Sequence, residues 1–411
     1  MADARAADAT PTAQPFRGVP IAIKDLTATA GIRTTYSSAA FADNVPDFDT
    51  AVARRIRDAG FVIAGKTNTP EFGTTAFTES ELNGATRNPW NTKRTVGGSS
   101  GGAAAAVAAG LAPLAHGTDG GGSIRIPASC CGVFGLKPSR GRVSTAPFSS
   151  LEGLSTSGPI SRFVADAAAL LDVLAGYEPG DPWWTPPPDR PFADEIGADP
   201  GRLRIGVTSS SPYDTPVDPA CTAALESAAK LLASLGHELQ EVTPPWTTPG
   251  LVEAFLTIWQ VGPTLYPADP EGFTPLNREL VEAARATSSA DYAAAVFLVQ
   301  ATSRRIVEFC RDFDALLTPT LALPPVPIGW QEEDAQGAVE QLMRNVAFTP
   351  FTAVANMTGL PAMSLPLHWS ADGLPIGVQV LGPPAGEALL LRLAAQVESA
   401  GPWASRRPAV S

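Results

Sequence analysis

Two glycine loops and a lysine supply the residue types needed for acyl-transfer chemistry. The loops are Gly97-Gly98-Ser99-Ser100-Gly101-Gly102 and Gly120-Gly121-Gly122-Ser123, and Lys24 ends a strand-like run upstream of both. Glycines free the backbone for tight turns and let successive N–H groups point into one concavity. A serine at such a concavity can attack a carbonyl carbon while the N–H groups hold the developing oxyanion. That serine needs a base. His116 lies near Ser123 in the chain and admits a Ser-His-Asp arrangement, although a loop or helix-end histidine is more often structural. Lys24 can act instead if its ammonium is deprotonated. A shift from about 10.4 to about 7 costs roughly 4–5 kcal/mol of differential solvation and charge interaction. Taken alone, Lys24 reads better as a snorkelling surface lysine paired with Asp25.

The elements that position these groups follow from pattern and punctuation. Val19 to Lys24 reads as a buried strand, and Asp49 or Thr50 caps a helix that Gly60 stops. Phe61 to Ala64 reads as the next strand. A helix starts directly from the first glycine loop, over Ala103 to Ala109, and another covers Val164 to Ala175. Leu203–Val207, a helix opened by Asp218-Pro219, and Glu238–Val242 form a second strand–helix–strand unit. Ala290 to Arg311 is a long helix feeding the strand Ala315–Thr318. Ser364–Leu367 and Ile376–Leu381 flank a hairpin turn at Ala371-Asp372-Gly373, and the last helix runs from about Gly386 to Ala400. The Pro-rich stretch 181–191 is a surface connection. This alternation predicts an α/β fold: a single large domain spanning 1–411, with a mixed, mainly parallel central sheet flanked by helices.

Composition narrows the function classes. The 411 residues carry a net charge of −12, with no basic run, which argues against a nucleic-acid surface. The longest small-apolar run, Ala103 to Ala115, is too short for a membrane span, and no signal peptide is visible, so the expected setting is cytoplasmic. The 4 cysteines have no metal-ligand spacing, and the 3 histidines are scattered, with His237 and His368 beside strands; no metal site is expected. Adjacent Cys130 and Cys131 are expected to pack near the site rather than react. Gly60 to Thr67 satisfies the P-loop pattern letter for letter, but its central residues are strand-like and Pro70 follows where a helix should run. Coincidence explains it best.

The chain resembles the amidase signature family of serine hydrolases over nearly its whole length. The matching text is Gly18 to Asp25, Gly65 to Gly73, Asn88-Pro89-Trp90, Gly97 to Gly102, Gly117 to Arg125, Gly132 to Arg140, Ala355 to Pro361 and Gly373 to Gly382. The resemblance implies a Ser-cis-Ser-Lys triad: Ser123 as nucleophile, Ser99 as the bridging serine after a cis peptide bond from Gly98, and Lys24 as general base. It implies an oxyanion hole from the N–H groups of Gly120, Gly121, Gly122 and Ser123. Asp119 and Arg125 would stabilise that loop, and Gly73 and Thr74 would border the substrate channel. The implied reaction is hydrolysis of a linear amide C–N bond through an acyl-enzyme, with no cofactor. Partners would be a small-molecule amide and at most a second copy of the chain.

Two further readings share the signature: a glutaminase subunit of a tRNA-dependent amidotransferase, and a truncated inactive relative acting as an interaction protein. Intact Lys24, Ser99 and Ser123 favour an active hydrolase. Relatives carry a longer helical segment ahead of the lysine strand, and Ala2 to Asp8 reads as the tail of such a segment, shortened here. Phe255, Trp259, Phe273 and Phe297 suggest an apolar pocket for an uncharged aliphatic or aryl amide, though helical spacing also suits core positions.

Overall fold

The computed structural model describes residues 14–148, 150–408 and 410. The N-terminal tail read as a helix remnant lies outside the described residues. Strand β1 (Pro20–Lys24) shows why the site forms where it does. Ile21 and Ile23 point into one core and Ala22 into another, so the strand is apolar on both faces up to its last residue. Helix α1 (Ala51–Asp58) follows, with the Thr50 hydroxyl accepting from the Ala53 N–H as the expected cap. Strand β2 (Val62–Thr67) then pairs parallel to β1, with Lys24 opposite Thr67.

Helix α2 (Gly101–Ala108) leaves the first glycine loop and β3 (Leu114–Asp119) returns to the sheet parallel to β1. Next come α3 (Arg125–Cys131), β4 (Phe134–Lys137), β5 (Thr156–Ser161) and α4 (Val164–Leu174). The second half adds β6 (Arg204–Val207), α5 (Pro219–Ser234), β7 (Glu238–Glu241), α6 (Leu251–Trp259), α7 (Pro275–Ala286) and α8 (Ser289–Cys310). It closes with β8 (Ala315–Pro319), α9 (Ala338–Phe348), α10 (Ala353–Thr358), β9 (Ala362–Trp369), β10 (Pro375–Leu381) and α11 (Glu387–Ala400).

Ten strands form one mixed sheet in the order β7-β6-β8-β10-β9-β4-β5-β3-β1-β2. Parallel pairings occupy the two flanks, β7-β6-β8 and β3-β1-β2, and antiparallel pairings cross the middle. Helices α1, α4, α5 and α11 cover one face; α2, α3, α6, α8 and α10 cover the other. Residues 181–191 carry no helix or strand.

The P-loop look-alike is a strand. Lys66 lies in β2 with its ammonium donating to the Thr27 carbonyl at 2.5 Å and the Thr34 hydroxyl at 2.8 Å, and pairing with Asp25 at 3.5 Å. Its backbone and side chain are both committed to packing, which leaves no phosphate cradle. Among the described residues, no helix is long and apolar enough to cross a membrane.

Candidate active site

The carboxyl ends of β1 and β3 lie side by side and deliver Lys24 and Thr118 to one point, the usual opening of a parallel flank. Lys24 is fully buried. Its ammonium donates to Ser99 Oγ at 2.7 Å and to Thr118 Oγ1 at 2.9 Å. Asp25, the partner expected from sequence alone, turns away and pairs with Lys66 instead. Burial without a contacting carboxylate lowers the Lys24 pKa to about 7, the charge of Asp119 offsetting part of the effect.

The first glycine loop carries a cis peptide bond between Gly98 and Ser99 and aims Ser99 Oγ at Lys24. Ser100 ties this loop to the second one: its N–H donates to the Ser123 carbonyl at 3.1 Å and its hydroxyl donates to the Thr118 carbonyl at 3.0 Å. Glycine is needed where the loop turns into α2, because a Cβ on Gly102 would lie 2.4 Å from the Asn68 nitrogen. Gly73 lies against the same spot with φ +72°; a Cβ there would sit 2.6 Å from Leu26 and 3.1 Å from Ser99 Oγ. Gly73→Ala is therefore expected to shift Ser99 and lower kcat by about 10–100-fold, with little change in KM. Steady-state kinetics on any turned-over amide checks this, and an unchanged kcat would refute it.

The second loop is held from below. Asp119 accepts from the N–H groups of Gly122 at 2.8 Å and Ile124 at 3.1 Å and pairs with Arg125 at 2.8 Å, both side chains fully buried. Arg125 also donates to the Thr352 carbonyl, Gln379 Oε1 and Asn356 Oδ1 at 2.6–2.7 Å. Burial pushes the Asp119 carboxyl up, but Arg125, Lys137 and Asn356 together outweigh it and hold the pKa at about 2.

One expectation for the oxyanion hole needs correcting. The single Gly122 N–H is already donated to Asp119, so it does not face the cavity. Its φ of +136° and the 2.3 Å gap between a Cβ there and Thr352 Oγ1 make it a structural glycine. Among the described residues no protein group accepts from the N–H of Gly120, Gly121 or Ser123, which leaves those three open.

His116 is neither in a loop nor at a helix end. It lies inside β3, fully buried, with neither ring nitrogen hydrogen-bonded among the described residues. Burial, then the charges of Lys24 and Lys66, push its pKa down to about 3. It does not meet Ser123. Cys130 and Cys131 are buried in α3, with Cys130 Sγ packed against Gly97, and burial raises both thiols. His237 is structural, linking the Leu203 N–H and Gln396.

Ser123 lies where two cavities meet. A wide cleft of about 960 Å³ is lined by Ser99, Thr118, Gly120, Gly73, Tyr36 and Phe148 among others. A narrow slot of about 80 Å³ is lined by Gly121, Ile126, Phe255, Leu342 and Val346 among others. Ser123, Thr74 and Trp259 border both. The Trp259 indole N–H donates to the Thr74 carbonyl at 3.0 Å and its ring stacks with Phe255 over Gly120 and Gly121.

The family profile described as Amidase matches residues 1–391. The chain belongs to the amidase signature family. It is 42% identical over 390 residues to a putative amidase of Synechocystis sp., covering 93% of this chain and 75% of that protein. It is 41% identical over 426 residues to the 6-aminohexanoate-cyclic-dimer hydrolase of Pseudomonas sp., covering 96% of this chain and 85% of that protein. The solved structure of a 6-aminohexanoate cyclic dimer hydrolase complexed with substrate superposes with a TM-score of 0.91 at 37% identity, over 100% of this chain and 89% of that one. This amidase is thus an amide-hydrolysing enzyme by descent and fold.

Of the four aromatics expected in the amidase pocket, Phe255 and Trp259 line it. Phe273 instead packs on Phe72 and Val281, and Phe297 is 74% exposed. Thr118, Ser100, Thr352 and Gln379 received no role from the sequence. All four act through hydrogen bonds to residues distant in the chain, and a hydroxyl or amide in a loop or strand gives no local sign of such a partner.

Proposed function

We propose that the protein hydrolyses an uncharged carboxylic amide through a Ser123 acyl-enzyme. The observation that carries this reading is the 2.7 Å contact between Ser99 and a fully buried Lys24 whose pKa falls to about 7. A lysine so placed is neutral in a large fraction of molecules at neutral pH and can accept a proton. Neutral Lys24 takes the proton of Ser99 Oγ, and Ser99 takes that of Ser123 as Ser123 Oγ bonds to the carbonyl carbon. The oxyanion is received by the N–H groups of Gly120, Gly121 and Ser123, each such donor being worth about 10²–10³ in rate. The C–N bond then breaks, and the leaving nitrogen takes a proton back from Ser99, which is resupplied by the Lys24 ammonium. Water attacks the ester carbon by the same relay, releasing the acid and restoring Ser123.

The lining favours an uncharged substrate. Among the described residues, no charged side chain borders the slot, and Asp47 is the one charged side chain bordering the cleft. Free glutamine brings an ammonium and a carboxylate that would need buried partners, so the glutaminase reading has little to hold its substrate. An open-chain or a cyclic amide both fit the wide cleft, and relatives named for a cyclic amide bring that class into the proposal.

The test is covalent labelling with a fluorophosphonate and peptide mapping across pH. Modification is expected at Ser123, absent in Ser123→Ala. The kcat/KM for an uncharged anilide is expected to rise with pH through about 7, as Lys24 loses its proton. Labelling at another residue, or activity that falls as pH rises past neutrality, would sink the triad.

A further inference from the structure

The relay touches only one of the two cavities that meet at Ser123. Ser99 and Thr118 border the wide cleft and not the slot; Gly121 and Ile126 border the slot and not the cleft. Resting on the reading above, Ser99 is the group that hands a proton to the departing nitrogen. A proton can be passed only over hydrogen-bond distance, so the nitrogen must lie on the Ser99 side of the carbonyl carbon. The acyl chain leaves that carbon in the opposite direction. We propose that the slot holds the acyl chain and the cleft holds the amine, making the preferred substrate an open-chain amide of a short apolar acid with a bulky apolar amine.

The two chambers have the sizes and surfaces for these tasks. The slot runs between α6 and α9 and is lined by Val252, Phe255, Leu256, Leu342 and Val346. Its volume of about 80 Å³ is about half the roughly 150 Å³ of an apolar cavity that takes up benzene, which suits an acyl chain of about three to four carbons. The cleft is far larger, and exposed apolar side chains gather at its border beside the charged Asp47. Val45, Phe48, Phe148 and Leu265 all border it and all are exposed, with Phe48 and Phe148 in edge contact at 5.8 Å. Large exposed apolar side chains gathered around one opening mark a binding surface. Trp259 forms the partition, pinned by its bond to Thr74. A ring-closed amide has its acyl and amine arms tied together and cannot send one to each side of that partition, so it must use the cleft alone.

The experiment is a matrix of p-nitroanilides, naphthylamides and methylamides with acyl chains from acetyl to decanoyl, plus a cyclic diamide. It is run on the wild type, Val346→Phe, Val346→Ala and Phe148→Ser, with fluorophosphonate labelling of each. The wild type is expected to prefer acyl chains of about three to four carbons and to lose at least about tenfold in kcat/KM by decanoyl, since each misplaced methylene costs about tenfold or more. Val346→Phe should move the optimum to acetyl and Val346→Ala to longer chains, neither changing the order of amines. Phe148→Ser should change the order of amines and leave the acyl optimum in place. The cyclic diamide should be at least about tenfold poorer than the best anilide. The two Val346 variants push in opposite directions, so one that folds poorly leaves the other decisive. Ser123 labelling with Val346 variants that alter amine preference instead of acyl length overturns the orientation alone. Failure to label Ser123 in the wild type overturns the catalytic reading and this inference with it.

Discussion

Lys24→Met is expected to cut kcat/KM by on the order of 10⁴-fold and at the same time to raise the melting temperature. The loss of rate follows from the relay: without Lys24, Ser99 has no base behind it, and triad members removed singly cost about 10⁴–10⁶ in other serine hydrolases. Ser123→Ala should lose at least as much, and the double variant little more, because the groups act as a unit. The gain in stability follows from proton linkage. The unfolded lysine holds its proton up to 10.5, whereas the folded one releases it near 7. Between those values the unfolded chain binds more protons, so folding stability should rise with pH from about 7 to 10 and be poorest below 7. Methionine fills the same space with no charge to desolvate and removes the penalty. Thermal melts of both proteins at pH 6.5 and 9.5 check this. The advantage of the variant should shrink at the higher pH; a variant less stable at pH 6.5 would show that the Lys24 ammonium is well solvated or paired after all.

Arg125→Met should be among the most destabilising single changes, by about 3–5 kcal/mol, because it leaves the Asp119 carboxylate buried and unpaired. Three other acceptors lose their donor too: the Thr352 carbonyl, Asn356 and Gln379. Urea unfolding of wild type, Arg125→Met, Asp119→Asn and the double variant measures it, and strong coupling between the two sites is expected. A midpoint for Arg125→Met within error of wild type would overturn the claim. The pH slope has the same sign as for Lys24, because both groups bind fewer protons folded than unfolded. Here, though, the charged form is the stabilised one and the window is acidic. The Asp119 pKa is held at about 2, below its ordinary 3.8, so this pair contributes fully above 3.8 and is lost as pH falls through about 2.

Local chemistry made some of the fold legible. Thr50 and Asp218 are good caps with clear apolar faces behind them, and α1 and α5 start where those residues say. The continuous apolar run of β1 and the glycine loops were legible too, and they position Lys24, Ser99 and Ser123. Strands β3 and β5 were not. Gly117, Gly158 and Pro159 lie in their interiors, against strand propensity, yet the two pair along six residues from Leu114–Ser161 to Asp119–Thr156. Gly158 is there for room, since a Cβ would come within 2.3 Å of the Leu136 carbonyl oxygen. Helix α3 was hidden by Pro127, which its first turn tolerates. With β3 unread, His116 looked like a loop residue. The pocket was half-legible for a related reason: Phe255 and Phe297 both sit on amphipathic helices, and only the packing of α6 against α8 decides which one faces Ser123.

The clamp on Arg125 also fixes when, in the life of the polypeptide, the enzyme can work. Lys24, Ser99 and Ser123 all emerge in the first third of the chain, whereas the groups that grip Arg125 come 227 to 254 residues after it. A ribosome-bound fragment carrying all three proposed relay residues would still lack the groups that grip Arg125 and, through Asp119, the loop before Ser123. Contacts so far apart in sequence form late. On the proposed relay, synthesis order acts as a safety catch, and a chain terminated before Thr352 is expected to be inert.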